Sequence, residues 1–297
     1  MSTTIDAAFI RNYEREVHLV FQREGSYLRN TVRFRPNVVG SSTTFQKAGT
    51  GIATTKARHG TITPMNQTHT AHEATLSDFY AADWVDRLDE AKINIDERDV
   101  IAKSGAMALG RKVDSQIDTL LAAANTNNVT TVDPTTSALT RSILLEMIMN
   151  LFAQDVPNDG NVYGMLSPQM WARALLIKEF SSSDWVGPTG LPFTEGIPTG
   201  GLFKSWINVK WIMHSGVTGN NTANESAFVW HKSSIGYASG KHAGNVAGNG
   251  SVSADITWHG DRAAHFVNHM MSGGGVTIDG SGIIEGNSDD TVAVAAT

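Results

Sequence analysis

The stretch HTAHEATL places His69 and His72 three residues apart, with Glu73 beside them. Two imidazoles and a carboxylate could hold zinc, but a helical zinc site needs its second histidine four residues after the first, with the glutamate between them. The spacing is wrong and the segment reads as a strand, so these side chains are expected to be exposed polar groups. DGSGIIE, beginning at Asp279, resembles a calcium loop in its first residues but lacks the oxygen pattern at the third and fifth positions. A hairpin turn between GVTI and GIIEG is the expected reading. Trp258, His259, Asp261 and Arg262 form the densest polar and aromatic cluster, expected as a strand bend closed by a local Asp–Arg pair.

Other chemistry is absent at the level of motifs. The 28 glycines form no G-x-S-x-G elbow, no phosphate loop and no dinucleotide fingerprint. With no cysteine, thiolate nucleophiles, disulfides and cysteine-ligated zinc are excluded. No catalytic, cofactor-binding or metal-binding residue is expected, and the chain is read as not an enzyme.

The elements carry more information than these residues. At 41% hydrophobic and 18% charged, a chain of 297 residues can build a real core as one large or two modest domains. MSTTIDAAF lacks the basic start and apolar run of a signal peptide, and no window approaches a membrane span. Residues 97–124 have the longest uninterrupted period, with Ala106, Leu109, Val113, Ile117, Leu120 and Ala124 on one stripe. That predicts a single helix about 42 Å long. Asp96 is the expected N-cap and Asn125 the expected stop, with Glu97 and Asp99 favouring the helix dipole. On this stripe, Leu109→Asp and Ile117→Asp should be severe, and Lys103→Ala and Gln116→Ala mild.

Around it, Ile5, Phe9, Tyr13, Val17, Phe21 and Leu28 predict an amphipathic helix over 5–28. Residues 37–80 are rich in Gly, Ser and Thr and read as a long two-stranded excursion with few large apolar groups. Such a hairpin is marginal alone and needs something to lie on. Leu144, Met147, Ile148, Leu151 and Phe152 predict a helix, NVYGML a buried strand, and SPQMWARALLIKEF a helix capped by Ser167 with Pro168 at its first position. A loop is expected over 181–201. Then WINVKWIMH, SAFVWH, VSADITWHG, AAHFVNHMM, GVTID and GIIEG read as short strands. Helices and strands without strict alternation indicate an α+β fold.

Charge is distributed unevenly. Residues 1–60 carry +5 and the remainder −11, giving the net −6. The basic part has no long run of like charge, which argues against sequence-specific DNA binding and suits contact with an acidic surface on another copy.

Taken in order, these parts resemble a tailed-phage major capsid protein of the HK97 fold. The most specific pieces are ADWVDRLDE, DERD and ALGRKVDSQIDTLL, followed by LSPQMW; the N-terminal helix and hairpin match in character and position. The resemblance implies an N-terminal arm over 1–36, an extended E-loop over 37–78, and a P-domain with a spine helix over 79–130. It further implies an A-domain over 131–249, P-domain return strands over 250–270, and C-terminal strands and tail over 271–297. The implied function is self-assembly into an icosahedral head shell enclosing the phage double-stranded DNA. A β-rich tail or surface-binding protein is the alternative, although it would not need the helix at 97–124.

The implied partners are other copies in hexamers and pentamers, a portal protein, possible cement protein, and packaged DNA through non-specific contact. The lack of a long N-terminal extension resembling a fused scaffolding domain leads to the expectation of a separate scaffolding protein or an unaided route of assembly. Assembly in the bacterial cytoplasm and residence in the virion follow, with no membrane. The proposed E-loop holds Lys47, Lys56 and Arg58 against Glu73 and Asp78, whereas 83–99 hold Asp83, Asp86, Asp89, Glu90, Asp96, Glu97 and Asp99 against three cations. Lys47, Lys56 and Arg58 are therefore expected to meet Asp86, Asp89 and Glu90 across subunits.

Overall fold

The computed structural model describes residues 25–88, 97–124, 128–129, 138–178, 203–241 and 253–294. In chain order the strands are β1 (Arg33–Val38), β2 (Ser42–Ala48), β3 (His69–Thr75) and β4 (Ser77–Asp86). Helix α1 (Glu97–Ala123), β5 (Asn128–Val129), α2 (Arg141–Phe152), β6 (Val162–Leu166) and α3 (Pro168–Leu176) follow. The chain then runs through β7 (Phe203–Trp206), β8 (Val209–Met213), β9 (Glu225–His231), β10 (Ile235–Gly240), β11 (Ser253–His259), β12 (Ala264–Thr277) and β13 (Ile283–Ser288).

Three sheets result. One runs β1-β10-β12-β11, with β4 paired along β12; a second of six strands runs β5-β13-β9-β6-β8-β7; β2 and β3 form a separate ribbon. Helix α1 packs on the first sheet, through β12 and β4. Helices α2 and α3 pack with the second sheet around Leu144, Met147, Leu151, Val162, Met170 and Trp211, all 0% exposed. Residues of α1, including Ile117 and Leu121, share another core with Phe228, Trp230, Tyr237 and Met271, which belong to both large sheets. This helix therefore joins the two sheets instead of serving one.

The helical stripe is real but shifted. Leu109, Val113, Ile117 and Ala124 are buried, whereas Ala106 is exposed and Leu120 only half-buried; Leu121 takes the deep position. A straight helix turns slightly past a seven-residue repeat, so the buried line drifts from the predicted one. Asp96 and Asn125 lie outside the described residues. The predicted helix over 5–28 lies mostly outside them too; its last residues are not helical, since Gly25 sits at φ 68° and Leu28 leads into a 3-10 turn.

Local signals elsewhere read well. Thr140 caps α2 by accepting from Ile143 N at 3.4 Å, and Ser167 caps α3 by accepting from Met170 N at 3.0 Å. All five residues of β6 are buried, as a central strand's should be. Three strand readings need correction. WINVKWIMH spans the end of β7 and all of β8, because Ile207 and Asn208 take φ 49° and 59° and form a two-residue hairpin turn. AAHFVNHMM and GVTID are one strand, β12, of 14 residues. GVTI and GIIEG are not a hairpin: β12 belongs to the first sheet and β13 to the second, with a 3-10 turn at Gly280–Gly282 carrying the chain between them.

Glycine makes β12 possible. A Cβ at Gly273 would strike the Tyr237 hydroxyl, at Gly274 the Thr75 carbonyl oxygen, and at Gly275 Leu120 of α1. The run SGGGV therefore marks where helix, sheet and ribbon close onto one strand.

Candidate functional site

The β2–β3 ribbon pairs from Ser42 opposite Thr75 to Ala48 opposite His69. Its base is anchored: Phe45 and Ala74 are buried with Ala238 and Ile278. Lys47 Nζ lies 2.7 Å from Asp279 Oδ2 of the same chain. Burial opposes ionisation of Asp279, but Lys47 and Ser281 outweigh it and hold the carboxyl below its ordinary range. The expected cross-subunit role of Lys47 thus competes with a partner inside its own chain. Beyond the ribbon the chain leaves the body. Every residue from 50 to 70 is exposed, including Ile52 at 83%, Ile62 at 76% and Met65 at 53%.

Lys56 and Arg58 sit on this exposed arm, and no acid accompanies them between residues 49 and 68. Asp86 ends β4 and is exposed, where it accepts from Leu88 N at 2.7 Å. Asp89 and Glu90 lie outside the described residues. Among the described residues, neither Lys56 nor Arg58 pairs with Asp83 or Asp86 within one chain. Near Asp86, Tyr80 and Trp84 point from the same face of β4 and are 67% and 36% exposed. Trp84 packs on Phe266 at 4.5 Å and His259 at 5.0 Å, and the Arg262 guanidinium lies 4.5 Å from the Trp84 ring centre. The expected Asp261–Arg262 pair is replaced by this stacking, and Asp261 instead approaches His259 at 3.9 Å.

Polar side chains inside the body do structural work. Asp114 on α1 is 0% exposed and accepts from Ser26 Oγ at 2.6 Å, Leu28 N at 3.1 Å and Tyr27 N at 3.3 Å. His214 completes the knot. Its Nδ1 accepts from Gly216 N at 3.2 Å, which leaves Nε2 to donate to Asp114 Oδ2 at 3.2 Å. Burial acts against the Asp114 charge, but His214, Ser26 and Leu28 together bring the carboxyl below its ordinary value. One turn later, Asp118 accepts from Thr218 Oγ1 at 2.6 Å. Two aspartates at i and i+4 therefore tie α1 to the segment after β8, and Asp114 also ties it to residues 26–28. The stripe reading missed both; a pair of acids beside Val113, Ile117 and Leu121 was the available signal.

One grouping has the residue types of a hydrolytic triad. His231 Nε2 lies 3.1 Å from Asp159 Oδ1, and His231 Nδ1 lies 2.7 Å from Ser233 Oγ. Yet His231 Nδ1 also accepts from Ser233 N at 3.3 Å, so the imidazole caps the 3-10 turn Lys232–Ser234. The Asn161 side chain and backbone N–H, with His231 after them, lower Asp159 to about 2. This arrangement is a turn lock on the surface. His69 is exposed and His72 half-buried, pairing with Phe45 in the ribbon register. Among the described residues no group of three His, Cys, Asp or Glu side chains could hold a metal ion, and no helix is long and apolar enough to cross a membrane.

Among the described residues the prominent surface feature is an exposed arm without a core of its own. The chain belongs to the phage capsid protein family, whose pattern matches residues 5–289. No curated protein matches it. Its fold is similar to that of the cyanophage P-SCSP1u capsid, with a TM-score of 0.73 and 14% identity over 97% of this chain and 95% of that one. Mycobacterium phage Che8 gives 0.68 at 14% identity, covering 94% and 96% of the two chains. The capsid of Ralstonia phage GP4 gives 0.67 at 11% identity, covering 96% of each. The fold is α+β and HK97-like. The protein is a major capsid protein, a structural subunit of a phage head shell built by association of such subunits.

Proposed function

We propose that this subunit assembles by completing its neighbours, with the arm at residues 49–68 as the principal donor. The observation that carries this reading is the exposure of Ile52, Ile62 and Met65 on a segment with no core of its own. An isolated subunit leaves this apolar area in water, and laying the arm over an adjacent subunit removes it. In this reading residues 37–78 form the E-loop and 1–36 the N-terminal arm. Residues 79–130 and 250–270 form the P-domain, supported by the pairing of β4 and β11 with β12. Residues 131–249 and 271–297 form the A-domain and tail, supported by the position of β13 beside β9. Hexamers and pentamers, a portal protein, a separate scaffolding protein, a possible cement protein and non-specifically held DNA complete the proposed set of partners, with assembly in the host bacterial cytoplasm.

Charge supports a register for this contact. The arm carries Lys56 and Arg58 without acids, while Asp86 stands beside exposed Tyr80 and Trp84 on β4. A neighbour's arm would find both apolar area and negative charge there, with Asp89 and Glu90 close by in sequence. Exposed ion pairs contribute at most about 1 kcal/mol each, so apolar burial supplies most of the stability and charge sets position. Changing Lys56→Glu together with Arg58→Glu should slow assembly measured by light scattering and lower the melting temperature of the shell. Raised salt should weaken the wild-type shell through screening. Unchanged rate, melting and salt response would remove the charge contact from the proposal.

Electron microscopy of the purified protein tests the broader reading. Closed shells, or rings of five and six subunits, are expected. Fibres or isolated trimers would instead favour the tail-protein alternative.

A further inference from the structure

The core around α2 and α3 contains a polar knot that apolar packing does not require. Glu225 opens β9, is 0% exposed, and neither carboxyl oxygen makes a hydrogen bond of normal geometry, although Asp290, Ser167 and Arg173 lie near enough to act on its charge. Across the ladder it pairs with Ser288, whose buried hydroxyl makes no hydrogen bond either. Asp290, 1% exposed, faces Glu225 and accepts from Ser167 Oγ and Arg173 Nη1, both at 3.2 Å. Arg173 also donates to the carbonyl of Asp289 at 2.8 Å and to that of Val292. One guanidinium on α3 thus fastens the segment that follows β13.

Among the described residues the local charge count does not close. From α3 only Arg173 faces Glu225, and from the C-terminal segment come Asp290 and Asp289, the latter turned to cap Thr291 N at 2.8 Å. On the strands, His231 lies at the far end of β9 with Asp159, and Glu285 on β13 is bound by Ser226. Two buried carboxylates facing one guanidinium would leave a charge unpaired out of water. Arg173 is committed to Asp290, so a proton must reside on the other carboxyl.

We propose that Glu225 carries a proton in the folded chain, and that this neutral form keeps residues 289–294 latched onto α3. Transfer of that proton to hydroxide yields water and a second carboxylate, whose repulsion from Asp290 unlatches the segment. Burial, reinforced by Asp290, pushes Glu225 up to about 9, against an ordinary value of 4.5. Because the folded value is the higher, the stabilisation is fully present below the ordinary value and is lost as pH rises towards about 9. The latched segment walls one side of a cavity of about 530 Å³, lined by Leu139, Leu176 and Ile177 together with Val292 of the segment itself.

Hydrogen exchange on the full chain tests the latch between pH 7 and about pH 10, after correction for intrinsic base catalysis. Residues 289–294 should exchange about tenfold faster at the alkaline end, while β6 stays protected; Glu225→Gln, which carries no titratable proton, should abolish that excess. No excess in the wild type, or an equal excess in the variant, overturns the proposal. A second reading needs no variant: the infrared carbonyl band of a buried protonated carboxyl should be present at neutral pH and disappear through about pH 9. Absence of that band at neutral pH also overturns it.

Discussion

Asp114→Ala is expected to abolish soluble folding or lower stability by about 3–5 kcal/mol, since each buried donor left without its acceptor costs about 1–3 kcal/mol. The carboxylate is the one group that accepts from Ser26, Leu28 and His214 together, so its removal orphans a buried backbone N–H and the His214 Nε2 proton. A domain with a total stability of about 5–15 kcal/mol loses a large part of it. Asp114→Asn keeps an oxygen acceptor and the side-chain shape, so its effect should be about 1–3 kcal/mol. Acid should act on the same knot. Since Asp114 lies below its ordinary value of 3.8, its stabilisation is present above that pH and is lost as pH falls through the lower folded value. Urea unfolding of both variants between neutral and acid pH checks the order. Equal stability of wild type and Asp114→Ala would mean that residues 26–28 and His214 do not depend on this carboxylate.

Ile117→Asp is expected to fail outright, with Leu109→Asp close behind. Ile117 is 0% exposed and Leu109 2%, and Ile117 sits among residues of both large sheets. An aspartate there loses the apolar contact and brings an unpaired polar group, for a combined cost above about 4 kcal/mol. Lys103→Ala, on an exposed position, should stay within about 0.5 kcal/mol. Gln116→Ala cannot serve as a second mild control, contrary to the expectation from spacing. Gln116 Oε1 accepts from the Tyr237 hydroxyl at 2.8 Å, and Tyr237 is 1% exposed. Its truncation should cost about 1–3 kcal/mol through that stranded hydroxyl. Soluble yield and thermal melting rank the four variants; equal behaviour would mean that the helix does not bury this face.

The contrast between Ile117 and Gln116 indicates how far sequence patterns reach. Period alone located α1, α2 and α3, and short-range cap chemistry at Ser167 set the start of α3 correctly. These signals are local, so neighbouring residues suffice to read them. Gln116 meets Tyr237 121 residues away and Asp114 meets His214 100 residues away, and no local period records either. Sheet membership is equally non-local. GVTI and GIIEG look like a hairpin because a glycine turn separates two β-branched runs, yet each run finds its partner in a different sheet. The long ribbon was legible for the opposite reason: few large apolar residues over 37–80 already meant that it could not build its own core. In the proposed assembly the surface that receives it belongs to a second molecule, and pairing across chains leaves no period within one.

That dependence on a second molecule is the centre of the account, and hydrogen exchange on free subunits and assembled shells measures it most directly. Residues 49–68 should exchange freely in the subunit, because few local contacts oppose the entropy of an exposed segment, and become protected in the shell while α1 is protected in both. Strong and equal protection of 49–68 in the isolated subunit, or equally fast exchange of that segment in the closed shell, would contradict assembly by completion of neighbours.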